Sequence, residues 1–247
     1  MPGLSSLFVV SLPRSLSSVV YHASRLALGL EEPVWTSDGE ILNNDRFALY
    51  GGPTHDAGVK YVQPAAAPEL FQQVLAFLGQ VACSEGFAYK DVVQPFVVSA
   101  WLPASGLRVL RIRRRLADVA FSMLRKQWLY PAAASAVSAT DGESEPASME
   151  QAVVRGLLAA ERELETLPGE TLDFEDLIED EGALLGALRR LYPDARVRGV
   201  RFIDEGFRRD RDRILARRNE EEYQQIERWL SVQQDRLESP PAPAVQV

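Results

Sequence analysis

The chain is poor in the residues that anchor metals and covalent frameworks: among its 247 residues there is one cysteine, Cys83, and two histidines, His22 and His55. A lone cysteine excludes an intrachain disulfide framework and a CxxC metal knuckle, and it suits a reducing compartment. No metal site is expected. Long apolar runs are missing as well. The most apolar stretch, residues 4–30, is broken by Pro13, Arg14, His22 and Arg25 and has no basic segment ahead of it. It therefore reads neither as a signal peptide nor as a membrane span, which needs about 20 consecutive apolar residues. The motif GxxxxGK[ST] is also absent, so the chain has no Walker-type phosphate loop.

What is present is ordinary globular material, 46% hydrophobic and 25% charged, with a net charge of −8. This size suits one domain over residues 1–238, ahead of a disordered tail at 239–247. The acidity argues against a nucleic-acid polymer as partner. The mean conceals a segregation, however. Residues 108–126 carry seven bases against Asp118 alone, a net +6, whereas residues 141–181 carry a net −12. A second arginine-rich stretch runs from Arg196 to Arg218.

Periodicity then supplies the elements. Leu7-Phe8-Val9-Val10 is a continuous apolar run, as in a parallel strand buried on both faces. Leu12-Pro13-Arg14-Ser15 turns the chain, and Leu16, Val19, Val20, Ala23, Leu26 and Ala27 repeat at helical spacing up to Gly29. Residues 68–81, 116–128, 149–164, 183–191 and 220–237 read as helices, and 87–93, 107–112 and 171–174 as strands. Residues 132–148 are rich in Ala, Ser and Gly and read as a flexible loop. Alternating strands and helices predict an α/β fold of three layers, a mostly parallel sheet with helices on both faces.

Two strand-to-helix turns carry the chemistry. In the first, Arg14, Ser15, Leu16, Ser17 and Ser18 place hydroxyls and a guanidinium at a helix N-terminus, where free N–H groups and the helix dipole suit a phosphate or sulfate. In the second, an apolar strand enters Arg113-Arg114-Arg115 and then a helix. Ser122 lies about two turns beyond Arg114, so both side chains can reach one anion beside the helix start.

Together these segments resemble the sulfotransferase superfamily that uses 3′-phosphoadenosine 5′-phosphosulfate (PAPS). Pro13-Arg14-Ser15-Leu16-Ser17-Ser18 is similar to that family's PRSGST loop, which binds the 5′-phosphosulfate. Arg114 to Ser122 resembles its RxPxDxxxS pattern, whose arginine and serine bind the 3′-phosphate. Asp173-Phe174-Glu175-Asp176-Leu177 resembles its YEDL segment. Leu16 departs from the usual glycine and Leu116 from the usual proline, which puts affinity or activity in question. The resemblance implies a P-loop-like nucleotide-binding fold and transfer of a sulfuryl group from PAPS to a hydroxyl of a small-molecule acceptor, in a cytoplasmic enzyme. It further implies Arg14 and Lys90 as the cations at the sulfuryl group. The implied general base is Glu40, since several branches carry a glutamate after the first helix; Asp38 and His55 remain open as alternatives. The aromatic residues Trp35, Phe47, Tyr50, Tyr61, Trp101 and Trp128 are candidates for an acceptor pocket. A catalytically degenerate nucleotide-binding or scaffold protein and a P-loop-type kinase are the competing readings. Oligomeric state is not expressed in the sequence.

Overall fold

The computed structural model describes residues 3–92, 96–129, 132, 146 and 148–238. Nearly all of the loop expected at 132–148, and the tail at 239–247, lie outside them.

Strand β1 (Leu7–Ser11) is buried along its whole length, as its uninterrupted apolar sequence requires. It lies between β2 (Ala88–Val92) and β3 (Arg108–Arg113), and β4 (Glu170–Asp173) pairs with β3 on the outer side. Every pairing is parallel, so the sheet is wholly rather than mostly parallel. The pleat sends Leu7 and Val9 to one face and Phe8 and Val10 to the other.

Helices cover both faces. The face of Leu7 and Val9 is packed by α1 (Ser17–Leu28) and by residues of the later helices described below. The opposite face receives α3 (Pro68–Val81), which follows the short α2 (Asn44–Leu49), together with α4 (Val97–Trp101) and α5 (Leu116–Arg125). The long α6 (Met149–Thr166) completes that layer beside α5. After β4 the chain turns directly into α7 (Phe174–Glu179) and α8 (Glu181–Leu191), which sit on the α1 side. It then passes through α9 (Glu205–Ala216) to α10 (Glu221–Glu238), whose Tyr223, Ile226 and Leu230 join the α5–α6 layer. The fold is thus three-layer α/β. Each fully buried aliphatic or aromatic side chain on the sheet contributes about 1.5–3 kcal/mol.

Several boundaries follow from local chemistry. Gly29 ends α1 in the left-handed region, φ 70°, and Pro68 starts α3 in its first turn, where its missing N–H leaves no donor unsatisfied. Helix α5 stops at Arg125, three residues before the expected end, because Gln127 takes a positive φ of 54°. The short helices α2, α4 and α7 are too brief for a period to show in sequence. Among the described residues no helix is long and apolar enough to cross a membrane.

Candidate functional site

Parallel register brings the C-terminal ends of β1, β2 and β3 side by side, with Val10 opposite both Asp91 and Arg111. The loops leaving those ends enclose a cleft of about 830 Å³. Open parallel sheets offer this edge to ligands because helix N-termini and strand-end loops converge there.

The loop between β1 and α1 forms one wall, with residues 13–19 all lining the cleft. Its backbone is tightly bent: Arg14 has φ 63° and Leu16 has φ 61°. A left-handed conformation costs a non-glycine residue about 1–2 kcal/mol. Leu16 therefore keeps the turn a glycine would make, at the expense of strain, and its half-buried side chain also packs against the core on the α1 side. Leu116, at the first position of α5, is buried in the opposite core; it forgoes the preset φ of proline and gains burial instead.

The two sequence motifs meet in space. Arg14 Nε donates to Ser122 Oγ at 3.1 Å across 108 residues of chain, and the Arg114 guanidinium donates to the backbone oxygen of Arg14. Arg114 is only 5% exposed and stacks on Phe174, 4.1 Å from the ring centroid. Burial pulls its pKa down from the ordinary arginine value, with neighbouring Asp118 and Glu175 opposing. Arg14, by contrast, is exposed and lies 5.1 Å from the ring of Trp128. Both cations face the cleft, together with Ser17, Ser18, Ser122 and Arg217.

Of the later arginines, Arg218 binds the buried Asp118 through Nε at 3.1 Å, and Arg211 reaches Glu179 at 2.9 Å. Arg217 is the member of residues 208–218 that lines the cleft alongside Ile214. Among the six aromatics singled out in sequence, Trp128 alone lines it; Trp35, Phe47 and Trp101 belong to the core, and the Tyr50 hydroxyl donates to Val34. Apolar side chains of that size are worth more buried than exposed, which is why three of them left the surface.

The opposite wall carries acids. Glu40 lines the cleft, and Lys90 Nζ lies 2.9 Å from its Oε1 and 3.2 Å from Asp38 Oδ2. Lys90 is 2% exposed, is not among the described residues that line the cleft, and has both carboxylates as partners. His22 Nε2 contacts the other oxygen of Asp38 at 2.6 Å. His55 stands apart, with its Nδ1 accepting from Ala57 N at 3.3 Å.

Asp91 is the residue sequence reasoning missed. It lines the cleft from the end of β2, is 6% exposed, and accepts from Leu42 N at 2.9 Å and Val92 N at 2.8 Å. Burial raises its pKa from 3.8 to about 6, with Lys60 opposing and Glu40 reinforcing the rise. In sequence it is an acid near the end of an expected strand, directly after Lys90, with nothing local to mark it as buried. A second carboxyl, the half-buried Glu161 on α6, is raised from 4.5 to about 7, by burial and then by Glu165.

For both groups the folded chain holds protons that the unfolded chain has released, so their contribution to stability falls as pH rises through the window between the two pKa values. A carboxyl moved from 3.8 to about 6 changes the folding free energy by about 3 kcal/mol across that window. Asp91→Asn removes this titration. The melting-temperature difference between wild type and D91N, measured from pH 4.5 to 7.5, is expected to move against wild type as pH rises; a difference independent of pH would contradict the assignment.

No protein-family model matches the chain, and the curated proteins give no match. The solved structures similar to it include the following two. A sulfotransferase domain from the curacin biosynthetic pathway shares 17% identity, with a TM-score of 0.43 over 94% of this chain and 98% of that one. A sulfotransferase from Alicyclobacillus acidocaldarius shares 12% identity, with a TM-score of 0.39 over 92% of this chain and 94% of that one.

Proposed function

We propose that the chain is a cytoplasmic PAPS-dependent sulfotransferase acting on a hydroxyl of a small molecule. The observation that carries this reading is the junction of the two basic turns, where Arg14 bonds Ser122 and Arg114 bonds the Arg14 backbone. It makes one polyanion-binding floor from the ends of β1 and β3, with N–H groups, serine hydroxyls and two guanidiniums facing the same cleft.

In this reading residues 14–18 hold the 5′-phosphosulfate, and Arg114, Ser122 and Arg217 hold the 3′-phosphate. Trp128 gives a flat face for the purine to stack on. Glu40, on the opposite wall, takes the proton as the acceptor O–H bond breaks. The acceptor oxygen then bonds to sulfur, and the bond from sulfur to the bridging phosphate oxygen breaks, releasing adenosine 3′,5′-bisphosphate. Arg14 offsets negative charge on the transferring sulfuryl oxygens and the leaving phosphate. Lys90 serves by fixing the Glu40 carboxylate.

Adenosine 3′,5′-bisphosphate tests the binding half directly. At about 100 times Kd it adds about 2.7 kcal/mol, which raises Tm by about 5–10 °C for a chain of this size. AMP, lacking the 3′-phosphate, is expected to shift Tm far less. No shift with the bisphosphate at millimolar concentration, or an equal shift with AMP, overturns the reading. Stabilisation and turnover by ATP instead would favour a kinase.

A further inference from the structure

Lys90 is a buried ammonium with two carboxylates on it, although one would balance its charge. The second is built in by a bent backbone. Asp38 and Gly39 have φ values of 53° and 76°, the pair of positive angles a type I′ turn needs, and Glu40 N closes the turn on Ser37 O at 3.0 Å. A Cβ on Gly39 would fall 2.4 Å from the ring of Tyr21, so no other residue fits there. Lys90 N donates to Gly39 O at 2.8 Å and Ile41 N to Lys90 O at 3.3 Å, which docks the turn on β2 with an acid either side of the ammonium. His22, from α1, holds the far oxygen of Asp38.

Resting on the reading of Glu40 as base, we infer that Asp38 is the standing counter-ion of Lys90, which lets Glu40 accept a proton, and that His22 positions Asp38. When Glu40 takes the proton from the acceptor it becomes neutral and no longer balances the ammonium. An unpaired ammonium in a buried site is strongly disfavoured. Asp38 keeps Lys90 paired through the step, so proton transfer leaves a neutral pair behind rather than an isolated charge. Asp38 touches neither donor nor acceptor in this scheme; it is a positioning residue.

The test is a double-mutant cycle with Asp38→Asn and Glu40→Gln. Asparagine tolerates the left-handed backbone at 38 and its amide oxygen still accepts from Lys90, so D38N is expected to fold. Each single variant leaves one carboxylate on the ammonium and is expected to change Tm by a few degrees. The double variant leaves none, and its Tm is expected to fall at least about 5 °C below the sum of the single effects. Additive effects overturn the inference whatever the turnover. With ³⁵S-labelled PAPS and 2-naphthol as the probe acceptor, D38N is expected to lower kcat about 10- to 100-fold while KM for PAPS stays within about twofold, and D38E to recover part of the loss. Full kcat in D38N with an inactive E40Q overturns this inference and leaves Glu40 as the base. Full kcat in E40Q overturns both readings.

Discussion

Arg114→Ala is expected to abolish the Tm shift produced by adenosine 3′,5′-bisphosphate and to lower the basal Tm as well. Both effects follow from where the guanidinium sits. It is nearly fully buried, stacked on Phe174, and donates to the backbone of Arg14 inside a loop that already bears two positive φ values. Truncation removes the stacking contact, leaves the Arg14 carbonyl without that donor, and frees a strained turn to relax. Losing one partner of a buried charge-assisted bond costs about 2–5 kcal/mol, which corresponds to roughly 30- to 5,000-fold in Kd. Arg114→Lys separates the two roles, since lysine keeps the charge but neither stacks nor forks as arginine does. The lysine variant is expected to recover some ligand shift and little of the basal stability. Arg14→Ala makes the complementary case. Arg14 is exposed, so its loss is expected to abolish the ligand shift with basal Tm nearly unchanged. A full ligand shift in either alanine variant would mean that the nucleotide lies elsewhere.

That contrast between two arginines was not legible in the sequence, where both appear as basic residues at the start of a helix. What was legible rests on short-range rules. The apolar run Leu7 to Val10 announced a central strand, the Leu16-to-Ala27 spacing announced its helix, and the two strand-to-helix turns announced an anion site at one edge of a parallel sheet. The Asp38-Gly39 pair was readable as a turn, and Glu40 stood out beside it. The pairing of Lys90 with Glu40 and Asp38 was hidden, because it joins segments 50 residues apart and depends on how the turn docks against β2. Arg218 and Asp118 were hidden for the same reason, at a separation of 100 residues. Asp91 was passed over because nothing local distinguishes a strand-end acid facing solvent from one buried under a docked loop. Side-chain burial is set by tertiary packing, and a single sequence expresses it only through periodicity, which a five-residue strand is too short to show in full.

Glu40→Gln is expected to lower kcat by about 10²–10⁴-fold, the usual contribution of a general base, with little effect on the affinity for adenosine 3′,5′-bisphosphate. The substitution is nearly isosteric, and the amide oxygen can still accept from Lys90 while Asp38 keeps the ammonium balanced, so the loop should hold its place. The missing element is a lone pair basic enough to take a proton. The nucleotide site, on the Arg14 and Arg114 side of the cleft, is untouched. The cleft has one other described carboxyl near Glu40 with a claim to the same role, Asp91, whose pKa burial raises to about 6. Geometry decides between them: both Asp91 oxygens already accept backbone N–H bonds and the residue is buried, whereas Glu40 is half-exposed to the cleft. Asp91→Asn retains an acceptor oxygen for Leu42 N and is expected to keep kcat within about tenfold, well short of the loss in E40Q. A reversal, with D91N inactive and E40Q active, would move the base to the end of β2 and leave Glu40 as the partner of Lys90.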